Sequence, residues 1–186
     1  MSKAFDVAVI GAGSIGTSVA YFNAKKGASV VLIDAGDIAE STSSRSDGNI
    51  LVCDKQPGFD AIFAKASQDM FEGLSKELDY DFEWRQRGSL FLTETEEEFQ
   101  TASEFCEKMK KCGIQMRMMD NKEVQDDEPY LAKDIYGGLE TISDGSVYPI
   151  GLAYGFALGA EKKGAVLSLH NRVSNIYKEE RSFVIE

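Results

Sequence analysis

The residues of this chain whose types and spacing most directly imply chemistry are Gly11, Gly13, Gly16 and Asp34. They lie in DVAVIGAGSIGTSVAYFNAKKGASVVLIDAG, residues 6–36. The chemistry of GAGSIG is that of the backbone. Gly11 permits a tight turn, Gly13 lets a pyrophosphate approach the main chain with no Cβ in the way, and Gly16 lets a helix pack close to the preceding strand. Ser14 and Ile15 open that helix, so phosphates meet N–H groups at its positive end. Asp34 follows at roughly the 20-residue interval where a carboxylate accepts both hydroxyls of an adenine ribose. A ribose 2′-phosphate would put two anions in contact there, which disfavours NADP.

The elements that must position these residues read as one βαβ unit. FDVAVI, residues 5–10, is an apolar, β-branched run that suits a strand buried on both faces of a parallel sheet. Helix formers dominate from Ser14 to Lys26, Gly27 fits a helix C-terminus, and Val30 to Ile33 form a second buried strand. Residues 35–58 are turn and loop chemistry, with a Pro57-Gly58 pair near the end. Loops of that length inside a domain are uncommon and usually functional. A nicotinamide dehydrogenase would continue with another helix and strand. This chain runs instead through STSSRSDGNI, residues 41–50. That loop can lay N–H groups and the side chains of Ser43, Ser44 and Arg45 along a second stretch of a long anionic cofactor.

The later elements change style. Phe59 to Leu78 reads as one helix that turns Ile62, Ala66, Met70, Leu74 and Leu78 inward at four-residue spacing. DFEWRQRGSLFLTET, residues 81–95, reads as two short strands around Gly88. The next helix carries Phe99, Ala102, Cys106 and Met109 inward and ends near Gly113. Glu94, Glu96, Glu97 and Glu98 suit its first turn. A strand at 115–119 and a short helix at 121–127 follow, then a hairpin over 137–149 with its turn at Asp144-Gly145. A helix covers 150–163. The closing strands break at a polar turn, Lys178 to Arg181, and FVIE is expected to stop in mid-hairpin without a partner.

Composition bounds the function. The 186 residues suffice for a sizeable core, and 43% hydrophobic with 27% charged residues is a soluble globular balance. No apolar run reaches the ~20 residues of a membrane span, and the motif starts too early for a signal peptide. A cytoplasmic protein is the expectation. A net charge of −11 argues against nucleic acid and against anionic lipid. Cys53, Cys106 and Cys112 form neither a disulfide framework nor a metal set, and read as reduced, partly buried side chains.

VIGAGSIGTSVAY…VVLIDAG, STSSRSDGNILVCDKQPG, FEWRQRGSLFLTET, DDEPYL and Val147-Tyr148-Pro149 together resemble the D-amino-acid oxidase superfamily of FAD enzymes. Within it the chain is similar to the glycine and sarcosine oxidase branch, especially opine oxidase and hydrogen cyanide synthase flavoprotein subunits. The resemblance covers nearly the whole chain. It implies an α/β fold with a Rossmann-like FAD-binding βαβ start and an inserted α+β substrate-domain portion, incomplete at the C-terminus. The implied segments are 1–80 (FAD-binding domain, first part), 81–148 (substrate-domain portion) and 149–186 (return to the FAD-binding domain).

Carried over residue by residue, Gly11, Gly13, Ser14, Ile15 and Gly16 would hold the pyrophosphate. Asp34, with Ala35 beside it, would take the ribose. Ser43, Ser44, Arg45, Gly48 and Asn49 would run past the phosphates toward the isoalloxazine, and the Val173 backbone would face the adenine. Asp47 departs from the small residues common there. Relatives are longer, and their second half supplies a further flavin contact and most substrate-binding side chains.

The implied activity is FAD-dependent oxidation of the CH–NH bond of an amino acid or secondary amine. The implied partners are that small substrate and a second oxidase subunit. Alternatives are a non-catalytic nucleotide-binding subunit of a larger oxidase complex, or an NAD-dependent dehydrogenase. No catalytic side chain is assigned. Arg85, Arg87 and Tyr148 could clamp a carboxylate, but a strand arginine is more commonly a surface residue. His170, the single histidine, reads as a half-buried strand residue.

An unpaired terminal strand and an uncovered apolar sheet favour association. The expectation is that the 186-residue chain alone holds FAD weakly and aggregates. FAD titration and sedimentation beside a longer form check this; a monomer with equal FAD affinity contradicts it.

Overall fold

The computed structural model describes residues 4–186, so the first three residues of the expected segment 1–80 lie outside the described residues. In chain order the strands are β1 (Val7–Ile10), β2 (Val30–Ile33), β3 (Asn49–Ile50), β4 (Arg85–Gln86), β5 (Ser89–Thr93), β6 (Met116–Asp120), β7 (Gly137–Thr141), β8 (Gly145–Ser146), β9 (Val166–Ser168), β10 (Ile176–Glu179) and β11 (Ser182–Ile185). The α-helices are α1 (Ser14–Lys25), α2 (Phe59–Asp69), α3 (Leu74–Leu78), α4 (Glu96–Lys111), α5 (Asn121–Asp127) and α6 (Pro149–Lys162). Two compact units result. One takes the chain up to Gly48, Leu74–Glu83 and Val147–Glu186; the other takes Asn49–Gly73 and Trp84–Ser146.

In the first unit β1, β2 and β9 form a parallel sheet in that order, with Val9 opposite Leu32 and Leu32 opposite Leu167. α6 is apolar around most of its circumference and is buried from Gly151 to Ala160 at eight positions, as an all-round hydrophobic helix must be. It packs on α1, where Gly159 leaves room for the Tyr21 ring. Tyr21 is fully buried and its hydroxyl donates to Glu77. Burial, and then that carboxylate, push its phenol up to about 12. β1 is not buried on both faces. Val9 lies toward α1, close to Gly16, so strand alternation turns Ala8 and Ile10 the other way, where both are exposed.

The terminal strand finds a partner, against expectation. β10 and β11 pair antiparallel with Ile176 opposite Ile185, and Glu186 N extends the ladder by donating to Asn175 O at 3.0 Å.

In the second unit β5, β7 and β6 form an antiparallel sheet with Leu139 between Phe91 and Met118. α4 covers it through Ala102, Cys106 and Met109. Thr95 caps α4 by accepting from Glu98 N at 3.2 Å, and glutamates at its start and lysines at its end match the helix dipole. Asp120 and Glu123 form a reciprocal capping box at α5.

The expected hairpin over 137–149 is absent. β7 is the central strand of its own sheet, whereas β8 pairs with β3 and β4 in another. The reason is Asp144. Its fully buried carboxylate accepts from Val52 N at 2.7 Å, Gln68 Nε2 at 3.2 Å and Ser89 Oγ at 2.6 Å, which turns the Asp144-Gly145 corner inward. The same carboxylate corrects the expected helix over 59–78. It requires Gln68 inside, and Gln68 rides on the same face as Ala61, so Ile62 and Met70 turn outward at 54% and 49% exposure. α2 stops at Asp69, and Gly73 at φ +78 completes the break before α3. β3 carries no local sequence signal because its two residues are strand only through distant Gly145 and Ser146. No helix among the described residues is long and apolar enough to cross a membrane.

Replacing Asp144 by Ala strands the buried Val52 N–H and leaves the part-buried Ser89 hydroxyl without its acceptor, while Gln68 Nε2 keeps Ile50 O; an unsatisfied buried donor costs about 1–3 kcal/mol. The variant is expected to lose about 2 kcal/mol or more in urea unfolding. Glu161→Ala, on the exposed end of α6, should stay within about 0.5 kcal/mol.

Candidate dinucleotide site

β1 leaves its sheet at Gly11, whose φ of +105 is accessible to glycine and strained for other residues. Its N–H still donates to Ile33 O at 2.8 Å, so the turn begins while the chain is tied to β2. Gly16 makes the next demand: a Cβ there would overlap the Gly11 carbonyl. Without it α1 starts directly against the end of β1.

α1 has no side-chain cap from its own N-cap residue, Gly13. The cap comes from the loop 41–46 instead. Ser43 Oγ accepts from Ser14 N at 3.0 Å and lies 3.2 Å from Ser14 Oγ. A Cβ on Gly13 would come within 2.9 Å of that hydroxyl. Among the described residues the N–H groups of Gly13, Ile15 and Gly16 have no protein acceptor. They are backbone donors at the positive end of a helix, which suits an anion.

Asp34, at the end of β2, bridges the two sides of the site. Its Oδ2 accepts from Ala12 N at 2.6 Å and its Oδ1 from Gly36 N at 2.8 Å. Its backbone is held by the segment after β9: Asp34 N donates to Ser168 O at 3.1 Å, and Asn171 N to Asp34 O at 2.9 Å. Val173 lies in that same segment, half-buried and outside any strand.

These parts enclose a cleft of about 470 Å³ lined by Gly11, Gly13, Asp34, Ser43 and Arg45, together with Asp37, Ala39, Glu40, Ser41 and Thr42. Of the last five, Ser41 and Thr42 begin the 41–50 loop read from the sequence, whereas Asp37, Ala39 and Glu40 carried no such signal. Their position between Asp34 and Ser43 was the available signal, since a chain joining two cleft residues lines the cleft. Glu40 Oε2 accepts from Asp37 N at 2.9 Å and shapes that turn.

The other site residues fall as follows. Ser14, Ile15 and Gly16 form the first turn of α1, with Ile15 80% exposed. Ala35 is exposed in the turn after β2. Ser44 Oγ donates to Ser41 O at 2.8 Å and stitches the loop internally. Gly48 is buried and approaches the Val147 carbonyl too closely for a side chain. Asn49 belongs to the other unit, in β3. His170 is not a half-buried strand residue: it is an exposed loop residue at φ +57, and its Nε2 lies 3.1 Å from Asp37 Oδ1. The chain turns away from the sheet after Ser168, so His170 has no strand to join. Arg85 is exposed on β4, its Nη1 donating to Trp84 O at 3.0 Å; Arg87 is exposed, and Tyr148 precedes α6. All three cysteines are free, and burial pushes the Cys53 thiol up to about 11.

The residues present fit the adenosine diphosphate half of a dinucleotide. The Gly13 cradle would be filled by a Cβ, the α1 donors await an anion, and a carboxylate stands at the ribose distance in sequence.

A family model described as FAD dependent oxidoreductase matches residues 6–185. Anaerobic glycerol-3-phosphate dehydrogenase subunit A1 of Haloferax volcanii is 30% identical, covering 96% of this chain and 30% of that protein. Glycine oxidase of Bacillus licheniformis is 31% identical, covering 96% of this chain and 49% of that protein. The crystal structure of glycine oxidase from Bacillus cereus superposes with a TM-score of 0.83 at 27% identity, over 95% of this chain and 49% of that one. The chain thus spans about half the length, or less, of the relatives it matches.

Gly16 and Gly13 make separable predictions. Gly16→Ala drives a Cβ into rigid backbone and is expected to destabilise by about 1–3 kcal/mol. Gly13→Ala meets only the Ser43 hydroxyl, which can rotate, so stability should change less while phosphate binding is lost. Thermal melts with and without FAD check both; equal destabilisation contradicts the assignment.

Proposed function

The chain belongs to the FAD dependent oxidoreductase family, and from that membership we propose that it is the cofactor-holding part of an enzyme oxidising the CH–NH bond of an amino acid or secondary amine. The observation that carries this reading is the glycine-loop cleft, supported by the likeness to glycine oxidases. When bound, the flavin of FAD supplies the acceptor for a hydride.

In this reading the N–H groups of Gly13, Ile15 and Gly16 hold the pyrophosphate, Gly11 makes the turn and Ser14 begins the helix that presents them. Asp34, next to Ala35, accepts the ribose hydroxyls. The segment Ser43, Ser44, Arg45, Gly48 and Asn49 leads toward the isoalloxazine, and Val173 offers its backbone to the adenine. The unit containing β5, β6 and β7 is the substrate-domain portion. A cytoplasmic setting goes with this reading, supported by three free cysteines. A second subunit is part of the proposal, supported by the Haloferax relative being named as a subunit.

That relative also favours a second reading, oxidation of glycerol 3-phosphate at a CH–OH bond. The two are separated by substrate. The full-length protein should bind FAD with a visible flavin spectrum and be reduced anaerobically by glycine, sarcosine or a related amine. Reduction by glycerol 3-phosphate alone selects the second reading. A full-length protein that stays colourless after reconstitution removes both. Asp34→Ala deletes charge-assisted hydrogen bonds of about 1.5–3 kcal/mol, so FAD affinity should fall roughly 10- to 100-fold by fluorescence titration.

A further inference from the structure

A second cleft, of about 160 Å³, lies wholly within the unit that holds Asp144 and is lined by Lys65, Gln68, Glu72, Trp84, Gln115 and Ser143, among others. Two of these residues bury an oxygen that meets no partner: Gln68 Oε1 and Ser143 Oγ. The Gln68 amide cannot turn over to change this. Its Nε2 donates to Ile50 O at 3.1 Å and to Asp144 Oδ1 at 3.2 Å, and both of those atoms are acceptors. Oε1 is therefore a fixed acceptor without a donor, and only 5% of the residue is exposed.

The rest of the wall favours a cationic guest. Lys65 is already engaged with both Asp69 oxygens, at 2.8 and 2.7 Å. Glu72 adds a carboxylate with no cation of its own among the described ion pairs. Trp84, tilted against Phe71 at 5.1 Å, adds an aromatic ring, whose face attracts cations. The wall thus brings two oxygens without a donor beside one carboxylate that has no cation among the described ion pairs. The volume equals about five waters at roughly 30 Å³ each, which admits a few heavy atoms.

We propose that this cleft binds a small primary ammonium ion, its N–H groups donating to Gln68 Oε1, Ser143 Oγ and the Glu72 carboxylate beside the Trp84 ring. The site is independent of the glycine loop and of the reaction assigned to it.

Trp84 is the only tryptophan in the 186 residues, so its emission reports on the cleft. In any longer form, a Trp84→Phe companion identifies its share of the signal. Methylammonium chloride is titrated against the protein, with sodium chloride and tetramethylammonium chloride at matched ionic strength. The expected result is a saturable change with methylammonium alone, weakened at least fivefold in both Glu72→Gln and Ser143→Ala. Glu72 is exposed and Ser143 has no hydrogen bond through its hydroxyl, so neither change should disturb folding; far-ultraviolet circular dichroism checks this. A missing response means the cleft holds water only and overturns the proposal. So does an equal response to tetramethylammonium, which has no N–H to donate, or a response unchanged in both variants.

Discussion

The constraint on which the unit with the glycine loop depends is the contact of Gly16 with the Gly11 carbonyl. An ordinary side chain at position 16 would force α1 away from the end of β1. The first turn of α1 would then stand away from Gly11 and Gly13, which line the cleft. Because the approach is close, the N-terminus of α1, the end of β1 and the end of β2 meet in one place, and Asp34 can reach Ala12 N across the gap. α6 and β9 extend this arrangement: α6 buries the back of α1 and β9 joins β2. The segment after β9 therefore returns to the backbone of Asp34.

The second unit rests on a polar centre instead. Asp144 gathers donors from three separate stretches of chain, Val52, Gln68 and Ser89. A buried carboxylate is stable only when its lone pairs are met, so these stretches must converge, and α2 takes its rotation from that need. The apolar core of Val52, Ala61, Cys106, Met109 and Leu139 forms beside it. The convergence also leaves Gln68 with one satisfied end and one unsatisfied end. The order of this unit and the opening of its cleft have the same origin.

What the sequence made legible follows from how local each signal was. The βαβ unit, α4, α5, α6 and β6 could be read because glycines, caps and helical periodicity act within a few residues. The cleft residues Asp37, Ala39 and Glu40 carried no motif, yet lay between two segments that did. The hairpin over 137–149 and the helix over 59–78 failed because their outcome depends on Asp144, whose partners are 55 to 92 residues away along the chain. His170 failed for a related reason. Leu167 and Ser168 are strand by pairing with β2, and the turn that follows is fixed by Gly36 and Asp34, which accept from His170 N and Asn171 N.

The charge around the glycine loop sharpens what this cleft can hold. The chain carries a net charge of −11, and Asp34, Asp37 and Glu40 line the cleft itself. An anion in that setting is not attracted by the protein as a whole. Beyond about 8 Å salt screens such fields at physiological strength, so short-range donors decide the matter. Among the lining residues those are the Gly13 N–H at the start of α1, which has no protein acceptor among the described residues, and Arg45, the cationic side chain of the wall. They occupy one part of the cleft, and the carboxylates follow Asp34 in the chain. A ligand that places phosphates on the helix end and neutral hydroxyls on the carboxylates meets complementary groups at both. A ligand with a further phosphate on its ribose would bring that charge to Asp34, whose oxygens already accept two backbone N–H groups and are held in place by them. In the proposed reading, the carboxylate held in this way favours an unphosphorylated ribose.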